Sequence, residues 1–143
     1  YWEVPTTMTI SHCDSCDEPK ILIILEGRFV YVRLSDLYFC PYHTLVLPKR
    51  HRESLSECSV EERKEMDKLT ITIFEAIKKL EPKFTDFVLW ENEGPRRSAK
   101  HYHRHIIPNT GQPPFPVSIN KVVKLKQQQL EKYMANFKKV LNF

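Results

Sequence analysis

No apolar run in this chain approaches the roughly 20 residues that a membrane-spanning helix needs. The longest, Ile21-Leu22-Ile23-Ile24-Leu25, has the length of a buried strand. No signal-peptide pattern is present, although the chain opens at Tyr1 rather than Met. Internal repeats and low-complexity stretches are also missing, so repeat architectures are excluded. Charge is nearly balanced: 22 basic against 18 acidic residues leave +4, which suits an anionic small molecule and only weakly favours nucleic acid. Cysteine is sparse, with four residues, and 143 residues can bury a core without disulfide staples. Nothing indicates export, so a cytoplasmic protein without a membrane partner is expected.

What is present reads as one α+β domain. Lys20 to Leu34 predicts two strands joined at Glu26-Gly27-Arg28, with Gly27 supplying a positive φ. His43-Thr44-Leu45-Val46-Leu47 is a further strand, ended by Pro48. Ser59-Val60-Glu61-Glu62 has the form of a capping box. Met66, Leu69, Ile73, Ala76, Ile77 and Leu80 follow at three- and four-residue steps, which predicts one long amphipathic helix stopped by Pro82. Phe84 to Glu91 is the next strand, and Asn92-Glu93-Gly94-Pro95 turns the chain.

Beyond Pro108 the composition changes. Residues 109–117, with Gly111, Pro113, Pro114 and Pro116, read as a linker. A basic amphipathic C-terminal helix is expected over residues 118–143, starting at Val117 or Ser118 and running to Leu141. Its polar side carries Lys121, Lys124, Lys126, Lys132, Lys138 and Lys139; its apolar side carries Val122, Leu125, Leu130, Tyr133, Met134, Phe137 and Leu141. Such a helix docks on its own domain or on a second copy, with a nucleic-acid contact as the alternative. Several strands around one long helix argue for a mainly antiparallel sheet.

Chemistry concentrates in His101-Tyr102-His103-Arg104-His105, where every second residue is histidine. In a strand, alternate side chains share a face, so the three imidazoles would project together, about 7 Å apart per step. Imidazole can act as base, nucleophile or metal ligand near neutrality. The plainer reading is an exposed polar strand face. Upstream, Cys13-Asp14-Ser15-Cys16 has the spacing of a zinc knuckle or of a redox pair. Cys40 and Cys58 stand alone, as core or surface thiols.

His43-Thr44-Leu45-Val46-Leu47-Pro48-Lys49-Arg50-His51, Asn92-Glu93-Gly94 and His101-x-His103-x-His105-Ile106-Ile107-Pro108 occur in that order. Together they resemble the histidine-triad (HIT) family of nucleotide hydrolases and transferases, over a stretch from about Cys13 to Pro108. The resemblance implies a HIT-like α+β fold: a five-stranded, mainly antiparallel sheet, one long helix and a C-terminal helix, with residues 1–108 as the HIT domain. It implies that His103 attacks the α-phosphorus of a nucleotide and forms a nucleotidyl-histidine intermediate. His105, positively charged, would donate to a non-bridging phosphate oxygen. Ser98 falls where members place a hydroxyl or amide beside the leaving group, and Asn92 where an amide meets the phosphate; either is otherwise a turn residue. His43 joins the substrate-binding set.

The same resemblance implies zinc. Cys13, Cys16, His51 and His101 match the ligands of some bacterial members, and Cys2His2 is a complete tetrahedral set, hence structural. The ion would pin the N-terminal segment to the start of the triad strand. In small zinc domains such binding contributes on the order of 10 kcal/mol to folding. A redox pair normally opens a helix, and Asp17-Glu18-Pro19 does not suggest one. Members commonly dimerise, so a homodimer is expected.

Several positions depart from the family. Arg104 replaces a usual apolar residue and should point to the opposite sheet face, toward solvent or an acid. Pro95-Arg96-Arg97 replaces a Gly-Gln segment, and Arg97 with Arg96 could pair bidentately with a second phosphate. Where many members place Asp or Asn for the ribose, this chain has Arg33, and Asp36 is the nearest residue able to take the hydroxyls. The loop from Ser35 to Tyr42 is similar to that of the nucleotidyltransferase and phosphorylase branches, which carry Gln in place of His105. A nucleotide phosphohydrolase is therefore the leading reading. Transfer to phosphate or a sugar phosphate, and a non-catalytic nucleotide-binding module, are the alternatives.

Overall fold

The structure, a computed structural model, describes residues 13, 16, 22–35, 37–38, 40–95, 100–109 and 123–141. Five strands form the main sheet: β1 (Ile23–Glu26), β2 (Val30–Leu34), β4 (Thr44–Pro48), β5 (Asp86–Glu91) and β6 (Arg104–Asn109). Their order is β1-β2-β4-β6-β5, with every neighbouring pair antiparallel. Two short strands, β3 (Leu37–Tyr38) and β7 (Val123–Lys124), make a second, two-stranded sheet. The helices are α1 (Val60–Leu80) and α2 (Gln127–Leu141). No described helix is long and apolar enough to cross a membrane.

The strand pleat separates two tasks. On one face Ile24, Val30, Val32, Leu34, Val46 and Ile106 pack against Met66, Leu69, Ile73, Ala76 and Ile77 of α1 and Phe137 of α2. These α1 residues are the apolar positions read at helical spacing, and their burial is what stabilises the helix on the sheet. The capping box forms as expected: Glu62 N donates to Ser59 Oγ at 3.0 Å, and Ser59 N donates to Glu62 Oε1 at 2.7 Å. The other face carries Ile23, Tyr31, Leu45 and Leu47. Register places Ile23, Arg33, Leu45, His105 and Trp90 in one row across the strands, so these five share that face.

Arg104 points to the helix face, as expected, and meets acids there. Its guanidinium donates to Glu91 on β5, and to Asp67 Oδ1 (2.9 Å) and Thr70 Oγ1 (3.1 Å) on α1. A cation at this position thereby ties helix to sheet.

Three expectations are corrected. The triad strand begins at Arg104 rather than His101, because tertiary bonds claim the earlier residues: Tyr102 N donates to Arg52 O at 2.6 Å, and both preceding histidine rings bond to backbone carbonyls. The C-terminal helix begins at Gln127 rather than Ser118, since Val123–Lys124 pairs with β3; residues 110–122 lie outside the described residues. That helix docks on its own domain through Leu130, Tyr133, Met134, Phe137, Val140 and Leu141.

The third correction concerns Gly27, which does not take a positive φ; Gly94 does, at 93°. Gly27 is required by close approach. A Cβ there would lie 2.2 Å from Glu65 Oε1, the oxygen that accepts from Phe29 N (2.7 Å) and Val30 N (2.8 Å). Glu65 thus fastens the β1–β2 turn to α1. Gly27→Ala should displace that carboxylate and cost about 1–3 kcal/mol. In a Glu65→Ala background the same change should cost much less, so urea denaturation of the four proteins should give a coupling energy well above 0.5 kcal/mol in the double-mutant cycle.

Candidate active site and metal centre

His101 joins two sites. Its ring is 1% exposed, and Nε2 lies 2.8 Å from Pro48 O, so Nε2–H donates to that carbonyl and the lone pair sits on Nδ1. Nδ1 faces Cys13 Sγ at 3.5 Å and Cys16 Sγ at 3.4 Å. Cys16 Sγ also lies 3.7 Å from His51 Nδ1. All four donor atoms are within 4.8 Å of one another. A tetrahedral zinc ion with the usual bond lengths sets S···N edges of about 3.6 Å. The donor set, its spacing and its tautomers therefore fit a closed tetrahedral metal site. Glu53 Oε2 stands 3.5 Å from the other nitrogen of His51, which is how a carboxylate orients a ligating imidazole. Burial, with smaller contributions from His51 and His103, holds the His101 pKa below that of ordinary histidine, so the ring is available as a neutral ligand.

His103 follows from His101 directly. Its Nδ1 lies 2.8 Å from His101 O, so Nδ1–H donates and the lone pair of the neutral ring is at Nε2. Burial lowers the His103 pKa, with Arg33 adding in the same direction, and this favours that neutral form. The fixed tautomer matters because a nucleophilic imidazole needs a bare nitrogen aimed outward.

His105 stands beside it, with ring centroids 4.8 Å apart. Its Nδ1 is 2.8 Å from Nε2 of His43. If His43 Nε2–H donates, His105 accepts at Nδ1 and presents an Nε2–H of its own. Burial, His43, His103 and Arg33 together push the His105 pKa down to about 3. This shift runs against the expected positive charge on His105 and favours a neutral ring in the substrate-free protein. His43, 1% exposed, is buried against the His105 ring.

Trp90 completes this side, a residue the sequence reading passed over. Its ring lies 5.5 Å from that of His105, and its Nε1–H donates to Asn92 Oδ1 at 3.1 Å. The bond fixes the Asn92 amide with its NH2 as the remaining donor group. The available signal was register: an aromatic residue on the strand antiparallel to the triad strand, two positions before Asn92. Arg33, 8% exposed, occupies the same face across Leu45. Asp36, Arg97 and Ser98 lie outside the described residues. Cys40 and Cys58 stay apart from both sites; their thiols approach Pro108 O and Ser54 O, and burial raises their pKa values to about 12 and about 11.

The HIT domain matches residues 18–112 of this chain. Among solved structures, the chain is similar to a hypothetical histidine triad nucleotide-binding protein from Sulfolobus tokodaii, at 22% identity and a TM-score of 0.72, covering 85% of this chain and 83% of that one. It is also similar to a Zn-bound histidine triad family protein from Mycobacterium smegmatis, at 20% identity and a TM-score of 0.70, covering 92% and 97%. A HIT family protein from Bacillus anthracis is 25% identical, with a TM-score of 0.63 and coverage of 91% and 92%. No curated protein matches the chain. Fold, matched residues and an intact histidine site agree, and the chain belongs to the HIT-domain family, with a catalytic site consistent with nucleotidyl-histidine chemistry beside a Cys2His2 cluster that could hold a metal ion.

Proposed function

We propose that the protein is a nucleotide phosphohydrolase that cleaves at the α-phosphate of a nucleoside phosphoramidate, dinucleoside polyphosphate or similar conjugate. The observation that carries this reading is the outward Nε2 of His103, bared because Nδ1–H is committed to His101 O. Nε2 attacks the α-phosphorus and a phosphorus–nitrogen bond forms. The bond to the amine or phosphate leaving group breaks, and the leaving group takes a proton. Water then attacks the same phosphorus, the bond to Nε2 breaks, and nucleoside monophosphate leaves with the neutral ring restored. Splitting one displacement into two lowers each barrier.

His105 Nε2–H and the Asn92 amide would meet the non-bridging oxygens, where a donor in place before the reaction stabilises developing charge. Ser98 is assigned to the leaving group, Arg97 to a more distal phosphate and Asp36 to the ribose, on the family resemblance alone. Zinc is proposed as the ion on Cys13, Cys16, His51 and His101. Four protein ligands leave no position for water, so its contribution is structural.

A homodimer is proposed along β5, an edge strand of the sheet, and the adjoining flank of α1. Phe74 of α1 stacks on Phe87 of β5 with centroids 4.6 Å apart, and Ile71 and Leu89 beside them are 58% and 47% exposed. An uncovered strand edge with apolar neighbours favours a strand-pairing partner. Light scattering on the eluting protein should give twice the chain mass, and Leu89→Lys should shift it to the monomer.

The reaction is tested by intact-mass spectrometry after a denaturing, mildly alkaline quench with adenosine phosphoramidate or diadenosine tetraphosphate. Wild type should carry an AMP adduct and release AMP, while His103→Ala carries none. Adduct that turns over to ADP only when inorganic phosphate is supplied would replace hydrolysis with nucleotidyl transfer. Bound nucleotide with neither adduct nor AMP would leave a binding module.

The metal is tested separately. Elemental analysis should find about one zinc per chain, lost in Cys13→Ser and Cys16→Ser. Its removal by chelator should lower the melting temperature markedly, since metal binding is linked to folding.

A further inference from the structure

Tyr42 adopts φ 64°, the non-glycine residue in the left-handed region among the described residues. That conformation is rare for a bulky side chain and persists where surrounding contacts over-determine it. Here they do. Tyr42 is 4% exposed, and its ring meets Tyr133 (4.8 Å between centroids), Phe137 (5.5 Å) and Phe84 (6.3 Å). Its hydroxyl accepts from Asn136 Nδ2 at 2.8 Å. Three of these four partners belong to α2. The next residue is His43, whose ring bonds to His105 at 2.8 Å and whose carbonyl accepts from Ser35 N at 3.0 Å.

The geometry points to a positioning role for Tyr42: α2, by gripping its ring, holds the backbone in the left-handed turn that aims His43 at His105. Released from α2, Tyr42 relaxes toward negative φ, and the rotation at one Cα carries the following side chain away from its partner. The C-terminal helix is then part of the catalytic apparatus, acting through Tyr42 and His43 on the His105 ring. Its bearing on turnover rests on the proposed role of His105; the mechanical link stands apart from any substrate.

The test uses the zinc-loaded full chain, labelled with nitrogen-15. A proton shared between His43 Nε2 and His105 Nδ1 couples to both nitrogens through the hydrogen bond. Wild type should show that coupling. Tyr133→Ala/Asn136→Ala, which leaves the core residue Phe137 in place, should lose it and slow adduct formation about 10- to 100-fold, the scale expected of a misplaced catalytic group. Adding Tyr42→Gly should bring the coupling back, because glycine takes positive φ without an anchor. A merely structural role predicts further loss on that third change. Coupling that persists in the double variant, or stays absent after Tyr42→Gly, would overturn the proposal. Should the double variant not melt cooperatively, Asn136→Ala alone is read by the same criterion. The coupling needs no substrate, so the absence of an AMP adduct on wild type would sink the proposed reaction and leave this reading intact.

Discussion

The rest of the site depends on how one buried imidazole spends its three polar contacts. His101 gives its Nε2–H to Pro48 O, and that single bond decides that Nδ1 faces the thiols of Cys13 and Cys16. Its own carbonyl then takes the Nδ1–H of His103 and leaves the lone pair of that neutral ring at Nε2. Reverse the first tautomer and the metal ligand is lost; shift the His101 backbone and the His103 proton loses its acceptor. The candidate metal cluster and the unprotonated nitrogen of His103 thus meet at one residue, and neither can be moved independently of the other.

The sheet keeps this arrangement rigid by separating packing from chemistry. Strands β2 and β4 are buried along their whole length, one face against α1 and α2 and the other beneath the histidines. Arg104 illustrates the division. It lies between His103 and His105 in sequence, yet its charge is spent on the far face, against Glu91 and Asp67. His105 on one side and the ion-paired Arg104 on the other both follow from the period-two alternation of a strand.

What could be read from sequence was what depends on short spacing. The α1 capping box, its apolar face and the hairpin are local patterns, and each formed where expected. The cluster that could hold a metal was legible too, because Cys-x-x-Cys and paired histidines carry their chemistry in their residue types. The tertiary facts were not. Alternation of His101, His103 and His105 suggested three rings in one extended row, but hydrogen bonds from Tyr102 N and the two rings bend the chain before Arg104. Gly27 suggested a special φ, whereas its reason is the Glu65 carboxylate arriving from a helix far along the chain. The contact between His43 and His105, 62 residues apart, is likewise a tertiary fact. The start of α2 was misread because strand pairing with β3, invisible to helical periodicity, claims Val123 and Lys124.

Arg33 has a consequence for how this site responds to ionic strength. Arg33 is 8% exposed and stands across Leu45, itself 7% exposed, from His105 in the sheet. From that buried position it lowers the pKa of both His103 and His105, and a buried charge is screened much less than an exposed one. The lysines exposed on α2, by contrast, sit in the ionic atmosphere and are screened over about 8–10 Å. Salt therefore separates two electrostatic regimes within one molecule. The long-range pull on an anionic ligand fades as counterions are added, while the charge of Arg33, buried in the sheet, is screened less than that of the lysines.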